Sequence, residues 1–527
     1  MVEVNKLSDL MDILSRSFSQ LMVIYAVLIF LVTLGIISKY TLHFQLFALI
    51  LGIIGVIIIR EKENVEFRSC WMILPIFVAS MIRIMPYIDN NIPLGYDPGI
   101  YKYIIEKYWE GLPKIIPEDL DNWIKSGHPP GLFILTTILH LYGFNSFNLY
   151  VYLFIFFNVL IALGIYVACK EIFCKEVAII ASFFFSVSIV QFQTFWFFYY
   201  KNVLAIFLAL LALYLLKSRK YIPLILIGAV VGAIHRPTFL IFIIAYLLYM
   251  IVERNDLRQK LLCGLTILAL ALAFYVPAHI QAILQPLKPL IELEIGPGTF
   301  ISFYTYQYSS LYYLPLAIIG MMIAVRRGNI NPILFWALIT GVIVYFKIIF
   351  FNRFIIHLDV AIIMLAGAGF YYLLRYNKKV GMIALMLLAS SSFWSVYKGA
   401  MHAKPLIDDE ELSTICSLKN IEEDAYVMAV TSYYSPWLLG YSGKKVIAPG
   451  LFDYNRWNYS QWRTFWRLND GEKAAEMLSI YRKPIYIYIG KNDRINEEKF
   501  KHKSFKKILD KDGMKIYRFG GAQPNSS

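Results

Sequence analysis

The sequence has few charged residues, few cysteines and no nucleotide-binding loop. Lys, Arg, Asp and Glu make up 16% of its 527 residues, whereas a soluble domain carries about 25%. Its five cysteines fall into no metal-ligand pattern such as CxxC. The polar C-terminal stretch contains no Walker-type or GxGxxG loop, and no internal repeat is evident. These absences argue against a wholly soluble protein, a cysteine-based metal site and a repeat architecture.

Apolar residues take the place of the missing charges. Hydrophobic residues make up 58% of the chain and the mean hydropathy is +0.58. Runs long enough to cross ~30 Å of hydrocarbon predict a polytopic α-helical membrane protein with about 13 transmembrane helices. They lie near 19–37, 43–60, 69–87, 148–169, 176–195, 199–217, 221–235, 237–253, 260–278, 309–325, 332–350, 353–374 and 380–397. Segment 131–143 is too short for a span, and residues 1–18 fit either an interfacial helix or a frayed tail.

Lys and Arg in the short loops predict the orientation, because cytoplasmic loops carry the excess of positive charge. One alternate set of connections, from the N-terminus to the loop near 375–379, holds 18 of them. The opposite set holds four, namely Lys39, Lys201, Arg236 and Arg353. The first set is therefore predicted to be cytoplasmic. The net charge of +14 is then explained by basic cytoplasmic loops, and no nucleic-acid partner is expected.

The chain divides by composition into three parts. Residues 1–68 hold an N-terminal tail and two leading spans, 69–400 form a transmembrane core with an extracytoplasmic loop at 88–147, and 401–527 are richer in charge. The last part is predicted to be a small extracytoplasmic α/β domain. Its predicted strands are Val427–Tyr433, Lys445–Ala448, Pro484–Ile489 and Met514–Phe519; its predicted helices are Asp409–Ser417, Glu472–Tyr481 and Ile495–Leu509.

The stretch from Pro93 to Gly131 is an aromatic, turn-rich loop in an otherwise apolar chain. Loops of this length are usually functional or disordered, and the Pro and Gly positions argue against disorder. Asp97 lies in Gly-Tyr-Asp-Pro-Gly and is the candidate catalytic carboxylate, although Asp before Pro is also a common turn former. His128 precedes Pro-Pro, which stiffens the backbone, and is the second candidate.

Basic residues near the predicted outer ends of the spans form a second set of candidates. Arg83, Lys201, Arg236 and Arg353 either snorkel to headgroups or share an anionic ligand such as phosphate. His235 adjoins Arg236, and His357 lies one helical turn after Arg353. Three carboxylates are weaker candidates: Asp359 inside a span, and Glu292 and Glu294 in the loop at 279–308.

These motifs resemble the GT-C superfamily of membrane glycosyltransferases. Arg83, then Gly95–Tyr101, then His128-Pro-Pro-Gly131 follow the order seen in protein O-mannosyltransferases and lipid A aminoarabinose transferases. The likeness continues through Tyr200-Lys201, His235-Arg236-Pro-Thr238 and Asn352-Arg353-Phe354, and covers roughly residues 69–397. Richness in Ile, Lys and Tyr suggests an archaeal source.

The resemblance implies a glycosyltransferase that moves a sugar from a polyprenyl (dolichyl) phosphate to an acceptor hydroxyl. Asp97 takes the role of base, with His128 in the same site. Arg83, Lys201, His235, Arg236, Arg353 and His357 become candidate donor-phosphate ligands; Tyr96, Tyr101, Glu292 and Glu294 become acceptor or loop candidates. The acceptor is left open among a glycan, a lipid and a protein.

Two alternatives stay open. Many relatives have Asp-Glu where this chain has Asp97-Pro98, so a metal-independent reaction is favoured and a divalent metal is the alternative. A transporter or flippase for a lipid-linked or anionic solute would also use charges inside the membrane, but it would usually show internal repeats.

Overall fold

The structure, a computed structural model, describes residues 2–39, 43–60, 62–114, 116–275, 300–348 and 350–520, with side chains from residue 11 onward. These residues fall into two compact units. The helical unit comprises the described residues of 1–90, 152–275 and 300–403. The sheet unit comprises those of 91–151 and 404–520. The division between 1–68, 69–400 and 401–527 stays a prediction.

The described helices are numbered along the chain. They are α1 (Val2–Thr33), α2 (Phe44–Ile58), α3 (Ile73–Ile84), α4 (Pro98–Glu110), α5 (Asn122–Gly127), α6 (Gly131–Leu141), α7 (Leu153–Ile172), α8 (Lys175–Ser186), α9 (Ile189–Trp196), α10 (Tyr200–Lys217), α11 (Tyr221–Ile234), α12 (Arg236–Val252), α13 (Leu257–Ala273), α14 (Phe303–Ser309), α15 (Leu314–Arg326), α16 (Pro332–Tyr345), α17 (Phe351–Tyr376), α18 (Lys378–Met401), α19 (Asp409–Ser417), α20 (Ser435–Ser442), α21 (Tyr459–Arg467) and α22 (Gly471–Ser479).

The helical unit contains membrane-spanning helices. Within the described residues, six segments are long and apolar enough to cross a bilayer: Met11–Thr33, Ser69–Tyr87, Asn148–Ile172, Tyr200–Lys217, Phe351–Tyr376 and Lys378–Met401. Two further pairs, α8 with α9 and Phe303–Tyr312 with α15, are long and apolar enough only when taken together, and they bend by 52° and 72° at the break between their two parts. The chain is therefore a membrane protein, while the total of about 13 spans stays a prediction.

Three local predictions about these helices can be compared with the structure. Helix α1 begins at Val2, so the frayed-tail interpretation of the N-terminus is wrong. The break expected near His235 is present between α11 and α12, where His235 is extended with φ −151°. The continuous span predicted at 176–195 is instead broken, because the Ser188 side chain accepts a hydrogen bond from the Gln191 backbone and begins a new helix.

The predicted Pro93–Gly131 loop is largely helical and packs on the C-terminal part of the chain. Helix α4 lies against α20 so closely that a Cβ on Gly99 would stand 1.9 Å from the Pro436 carbonyl oxygen. A Cβ on Gly440 would stand 2.4 Å from the Gly99 oxygen. A side chain at either position would clash, so the backbones of α4 and α20 can approach this closely only because both residues are glycine. The loop and the C-terminal residues are thus one packed body.

The C-terminal part of the sheet unit is an α/β fold around a five-stranded sheet. Its strands are β1 (Tyr426–Ala429), β2 (Lys445–Ile447), β3 (Ile485–Ile489), β4 (Phe505–Lys511) and β5 (Met514–Phe519), in the order β2-β1-β3-β5-β4. Strand β1 pairs in parallel with β2 and β3, and β5 pairs antiparallel with β3 and β4. The core includes the buried side chains of Met428, Trp462, Phe465, Ile487 and Phe500.

The helix predicted at Ile495–Leu509 is wrong. A short 3₁₀ turn at Glu498–Lys501 and strand β4 occupy that stretch. The strand forms because Asp512 and Gly513 both have positive φ, 51° and 82°, as a two-residue type I′ hairpin turn requires. The turn places Lys511 opposite Met514, and the ladder with β5 overrides the helical tendency of the lysine-rich run.

Candidate functional site

Asp97 lies in the middle of the Gly95–Gly99 motif, immediately before helix α4. Gly95 supplies a positive φ of 86°, and the Tyr96 hydroxyl donates to the Ser432 carbonyl at 2.6 Å. Gly99 allows the contact with α20. Asp97 occupies the N-cap position of α4, yet its side chain makes no capping hydrogen bond.

His128 lies against the same face of α4. Tyr101 is one helical turn after Asp97 and therefore shares its face. The Tyr101 and His128 rings meet edge to face with centroids 6.5 Å apart. Trp123 and Phe133 also contact the imidazole, at 5.5 Å and 6.2 Å. The structure thus brings together the predicted residues Asp97, Tyr101 and His128 within the sheet unit.

Tyr96 is buried beneath this face, 6% exposed. Burial is the main cause that raises the pKa of its hydroxyl above the usual value, and the charge of Asp97 raises it further. The phenol therefore stays protonated and serves as a hydrogen-bond donor to Ser432. Its position makes it a support for the motif.

Three predicted basic residues of the helical unit each begin a helix. Lys201 is the second residue of α10, Arg236 the first of α12 and Arg353 the third of α17. Arg236 directly follows His235, and Arg353 lies one helical turn before His357, which is linked to His235 through Thr238. Cations at the positive ends of three helix dipoles destabilise one another. An anion among them would remove that repulsion, and a helix N-terminus also offers its own N–H groups.

The two predicted histidines are joined through Thr238. The Thr238 hydroxyl lies 2.8 Å from His235 Nδ1 and 2.8 Å from His357 Nε2. The Thr238 backbone N–H also points to His235 Nδ1 at 3.4 Å, so that nitrogen is an acceptor and the hydroxyl donates to it. His357 Nε2 then donates to Thr238, which assigns its tautomer from the hydrogen-bond network. Its other ring nitrogen, Nδ1, is buried without a partner.

Aromatic rings lie beside two of these basic residues, Arg236 and Arg353. The Arg236 guanidinium lies 5.3 Å from the centroid of the Tyr275 ring. Arg353 is exposed and lies 5.4 Å from the rings of both Phe300 and Phe350. These contacts orient the guanidinium groups at a modest gain.

Arg83, in the last turn of α3, is fully buried. One nitrogen donates to the Ala79 carbonyl at 3.3 Å, and the group lies 5.2 Å from the Phe185 centroid. The other two nitrogens have no partner. Within the described residues no carboxylate pairs with it. A buried guanidinium in this state calls for an anionic partner.

Asp359 is buried and fully satisfied by neutral donors. Ser188 and Gln191 donate to one oxygen at 3.0 Å and 2.8 Å, and the Tyr313 hydroxyl donates to the other. The carboxylate therefore anchors the neighbouring helices. Glu292 and Glu294 lie outside the described residues, and no group of three His, Cys, Asp or Glu side chains is close enough to hold a metal in the part of the chain that the structure describes.

Sequence reasoning gave no role of their own to three residues of these sites: Thr238, Tyr275 and Trp123. Thr238 stands in the His235-Arg236-Pro-Thr238 motif, where Pro237 marks the start of a helix. Tyr275 and Trp123 reach Arg236 and His128 from separate parts of the chain, and periodicity carries no signal for such contacts.

The middle of the chain matches a known family. Residues 127–280 match the model of the dolichyl-phosphate-mannose-protein mannosyltransferase family, a stretch that includes His128, Lys201, His235 and Arg236. No curated protein sequence matches the chain significantly.

Solved structures of membrane transferases share the fold. The Archaeoglobus fulgidus oligosaccharyltransferase, in complex with an inhibitory peptide and a dolichol-phosphate, is 13% identical with a TM-score of 0.56, over 79% of this chain and 69% of that one. ArnT from Cupriavidus metallidurans, bound to undecaprenyl phosphate, is 11% identical with a TM-score of 0.59, over 87% of this chain and 100% of that one. The mycobacterial arabinofuranosyltransferase AftD is 12% identical with a TM-score of 0.53, over 88% of this chain and 41% of that one.

At these identities the similarity concerns the fold. The chain has a GT-C-like fold, as its motifs predicted. What each side chain does in this chain is a separate question.

Proposed function

We propose that this protein is a glycosyltransferase that moves a sugar from a polyprenyl (dolichyl) phosphate to an acceptor hydroxyl. The observation that carries the proposal is the placement of Lys201, Arg236 and Arg353 in the first turns of three helices, with Arg236 and Arg353 beside the linked pair His235 and His357. An apolar protein needs a reason to place cations at these helix starts. A lipid-linked phosphate supplies one, and the matched family and the two lipid-bound structures support it.

The phosphate would be bound by guanidinium and ammonium donors, with helix N-termini adding their field. Lys201, Arg236 and Arg353 are the principal ligands of this proposal. His357 is linked to His235 through Thr238 and belongs to the same cluster. Arg83 is a further cation that an anion would stabilise.

In the proposed reaction the acceptor oxygen attacks the anomeric carbon of the donor. A C–O bond forms at that carbon while its bond to the phosphate oxygen breaks, and the electron pair leaves with the polyprenyl phosphate. The hydroxyl proton passes to Asp97, because one carboxylate is a sufficient base when the leaving group is already a stable anion. The cations stabilise the charge that develops on the phosphate.

His128 and Tyr101 would position the acceptor on the face of α4 that carries Asp97. The reaction is proposed to be metal-independent. A divalent metal is the alternative, and the carboxylates that would decide between the two include Glu292 and Glu294.

The reaction is proposed to take place on the extracytoplasmic face of the cell membrane, with the sheet unit on that side. The 18-to-4 division of Lys and Arg supports this orientation. Nucleotide sugars do not cross a membrane because of their charge, whereas a lipid-anchored sugar phosphate carries both the sugar and its activation.

Transport of a lipid-linked solute is the other candidate function. It accounts for the basic helix starts, but it gives no role to the grouping of Asp97, Tyr101 and His128 at one face of α4. It also draws no support from the oligosaccharyltransferase and the arabinofuranosyltransferase among the matched structures.

Two variants of the purified chain test the proposal by separating binding from chemistry. Asp97→Asn keeps the shape of the side chain and removes its basicity, so sugar transfer is expected to fall by about 10²- to 10⁴-fold while donor binding is retained. Arg236→Ala is expected to weaken donor binding at least about tenfold, since it removes a charge-assisted contact. The measurements are transfer from a polyprenyl-phosphate sugar in liposomes and the thermal shift produced by the donor.

Asp119→Asn is the matched control, because Asp119 is an exposed carboxylate of the same loop. It is expected to behave as the unmodified chain. Near-normal turnover of a well-folded Asp97→Asn protein would remove Asp97 from the mechanism. Unchanged donor binding in Arg236→Ala would remove the basic cluster from it.

A further inference from the structure

A row of aromatic side chains runs along the sheet unit from α4 to His128, and the proposed mechanism makes no use of it. The rings of Tyr103 and Trp123 are stacked with centroids 6.3 Å apart. Trp123 then meets Phe452 at 5.2 Å and His128 at 5.5 Å. All four side chains are only half-buried. We call the rings of Tyr103, Trp123 and Phe452 the aromatic row.

Carboxylates flank the aromatic row. The Tyr103 hydroxyl donates to Asp121 at 2.8 Å, and Asp453 accepts from the Trp123 backbone N–H at 3.3 Å. Asp453 is exposed. Asp121 and burial together raise the pKa of the Tyr103 hydroxyl, with burial the larger cause. Hydrogen-bond acceptors of fixed position therefore border apolar ring surfaces.

Two segments distant in sequence meet to form this surface. Tyr103 and Trp123 come from the α4–α5 region and Phe452 from the stretch after β2. Phe452 has a positive φ of 64°, which is strained for a large side chain. The ring of Phe452 packs against Trp123 in this conformation. Such strain persists where surrounding contacts hold it and tends to occur at functional sites.

We infer that the aromatic row binds the acceptor and that this acceptor is a neutral oligosaccharide. A pyranose ring has an apolar face of C–H bonds that packs on aromatic rings, and equatorial hydroxyls that donate to carboxylates. Asp121 and Asp453 disfavour an anionic group beside Trp123, and Lys107, 5.8 Å from the centroid of the Tyr103 ring, disfavours a cationic one. The row ends at His128, on the face of α4 that carries Asp97, so a saccharide lying on it would present a hydroxyl to the proposed base. The inference rests on the proposed function and names its acceptor class.

The test measures saccharide binding to the full detergent-solubilised chain by saturation-transfer NMR. The probes are mannotriose and chitotriose, with a Ser/Thr-containing peptide of similar mass as the competing class. Trp123→Leu is expected to weaken trisaccharide binding about tenfold or more, because it removes the central ring of the row. Trp123→Phe keeps a ring and is expected to stay within about threefold of the unmodified chain, which also guards against a loss caused by misfolding.

Trp109→Leu is the matched control, because Trp109 is a half-buried tryptophan of α4 that stacks on His140 at 3.7 Å, away from the row. It is expected to leave binding unchanged. No trisaccharide signal from the unmodified chain, or equal signals from Trp123→Leu and Trp109→Leu, would overturn the inference. So would a peptide signal that alone depends on Trp123.

Donor consumption separates this inference from the proposed function. A chain that transfers sugar from the polyprenyl phosphate but shows no Trp123-dependent trisaccharide binding contradicts the acceptor class alone. A chain that binds the trisaccharides through Trp123 but transfers no sugar contradicts the glycosyltransferase proposal and leaves the binding surface in place.

Discussion

Arg83 carries a guanidinium group that folding removes from water without pairing it to an acid. Two of its nitrogens lack partners, and the contact with the Phe185 ring repays only part of the desolvation. Removing one partner of a buried pair typically costs about 3–5 kcal/mol, because the charge that remains is uncompensated. Since Arg83 is buried at the end of a span, we expect its cost to fall when an anion binds.

Arg83→Met tests this expectation, because methionine fills a similar volume without charge. In the absence of donor the variant is expected to melt a few degrees higher than the unmodified chain, since an uncompensated buried charge has been removed. The stabilisation produced by added polyprenyl phosphate is expected to shrink. Arg258→Met, at an exposed arginine, should change neither quantity. A lower melting temperature with an undiminished donor effect would make Arg83 a structural residue.

Among secondary-structure elements, the two bent helix pairs share one anchor. Ser188 lies at the break between α8 and α9, and Tyr313 lies at the break before α15. Both donate to Asp359 of α17. Irregular backbone at membrane depth requires internal partners, and a single carboxylate serves both breaks here.

Asp359→Ala is expected to destabilise the helical unit strongly. It leaves the donors of Ser188, Gln191 and Tyr313 buried with fewer partners, at about 1–3 kcal/mol for each unsatisfied group. Asp359→Asn keeps an acceptor oxygen and should be milder. Ser391→Ala is the control, because this buried hydroxyl bonds only within its own helix, to the Leu387 carbonyl. Thermal melting in detergent measures the effect, and an Asp359→Ala protein that melts like the unmodified chain would refute it.

The contact between α4 and α20 leads to a prediction for the sheet unit. Gly99→Ala would place a methyl group 1.9 Å from the Pro436 oxygen, so the helices must separate. Overpacking of this kind costs about 1–3 kcal/mol and occasionally more. We expect a lower melting temperature and faster proteolysis after residue 404. Gly127→Ala, in the same loop with nothing within 4 Å of its added Cβ, should be neutral; equal behaviour of the two variants would contradict the packing argument.

Hydropathy and turn chemistry explain which elements the sequence could predict. Most apolar runs became helices near the predicted bounds, because burial in hydrocarbon dominates their free energy. Helix α4 was missed because its polar and aromatic composition resembles a loop and its stability comes from packing on α20. Strand β4 was misread as a helix because its partner β5, and not its own composition, determines its conformation.

At the scale of the whole molecule, the distribution of Lys and Arg predicts that the sheet unit lies on the extracytoplasmic side. It also predicts that the basic loops of the helical unit lie on the cytoplasmic side. In a cysteine-free chain, Lys503→Cys in the sheet unit should react with a membrane-impermeant maleimide on sealed cells. Arg258→Cys should react only after the cells are permeabilised. Both positions are exposed, so burial does not limit labelling. Reaction at residue 258 alone on sealed cells would contradict the predicted orientation and the proposed extracytoplasmic reaction.

The candidate site was predictable to the extent that its residues carry charge in an apolar chain. Lys201, Arg236 and Arg353 stand out by scarcity, and Asp97 stands out by its motif. The aromatic row did not, because aromatic residues are 16% of the chain and only the fold shows that Trp123 and Phe452 meet.

The sheet unit is a split module that is encoded by residues 91–151 and 404–520. Its two segments pack on each other where α4 and α20 approach through Gly99 and Gly440. Its two halves are separated in the gene by the helices of 152–275 and 300–403. A chimera that exchanges the C-terminal segment alone with a relative would pair mismatched helix surfaces. Exchange of both segments together is the smallest graft that would carry the aromatic row, and the acceptor preference we assign to it, to another protein.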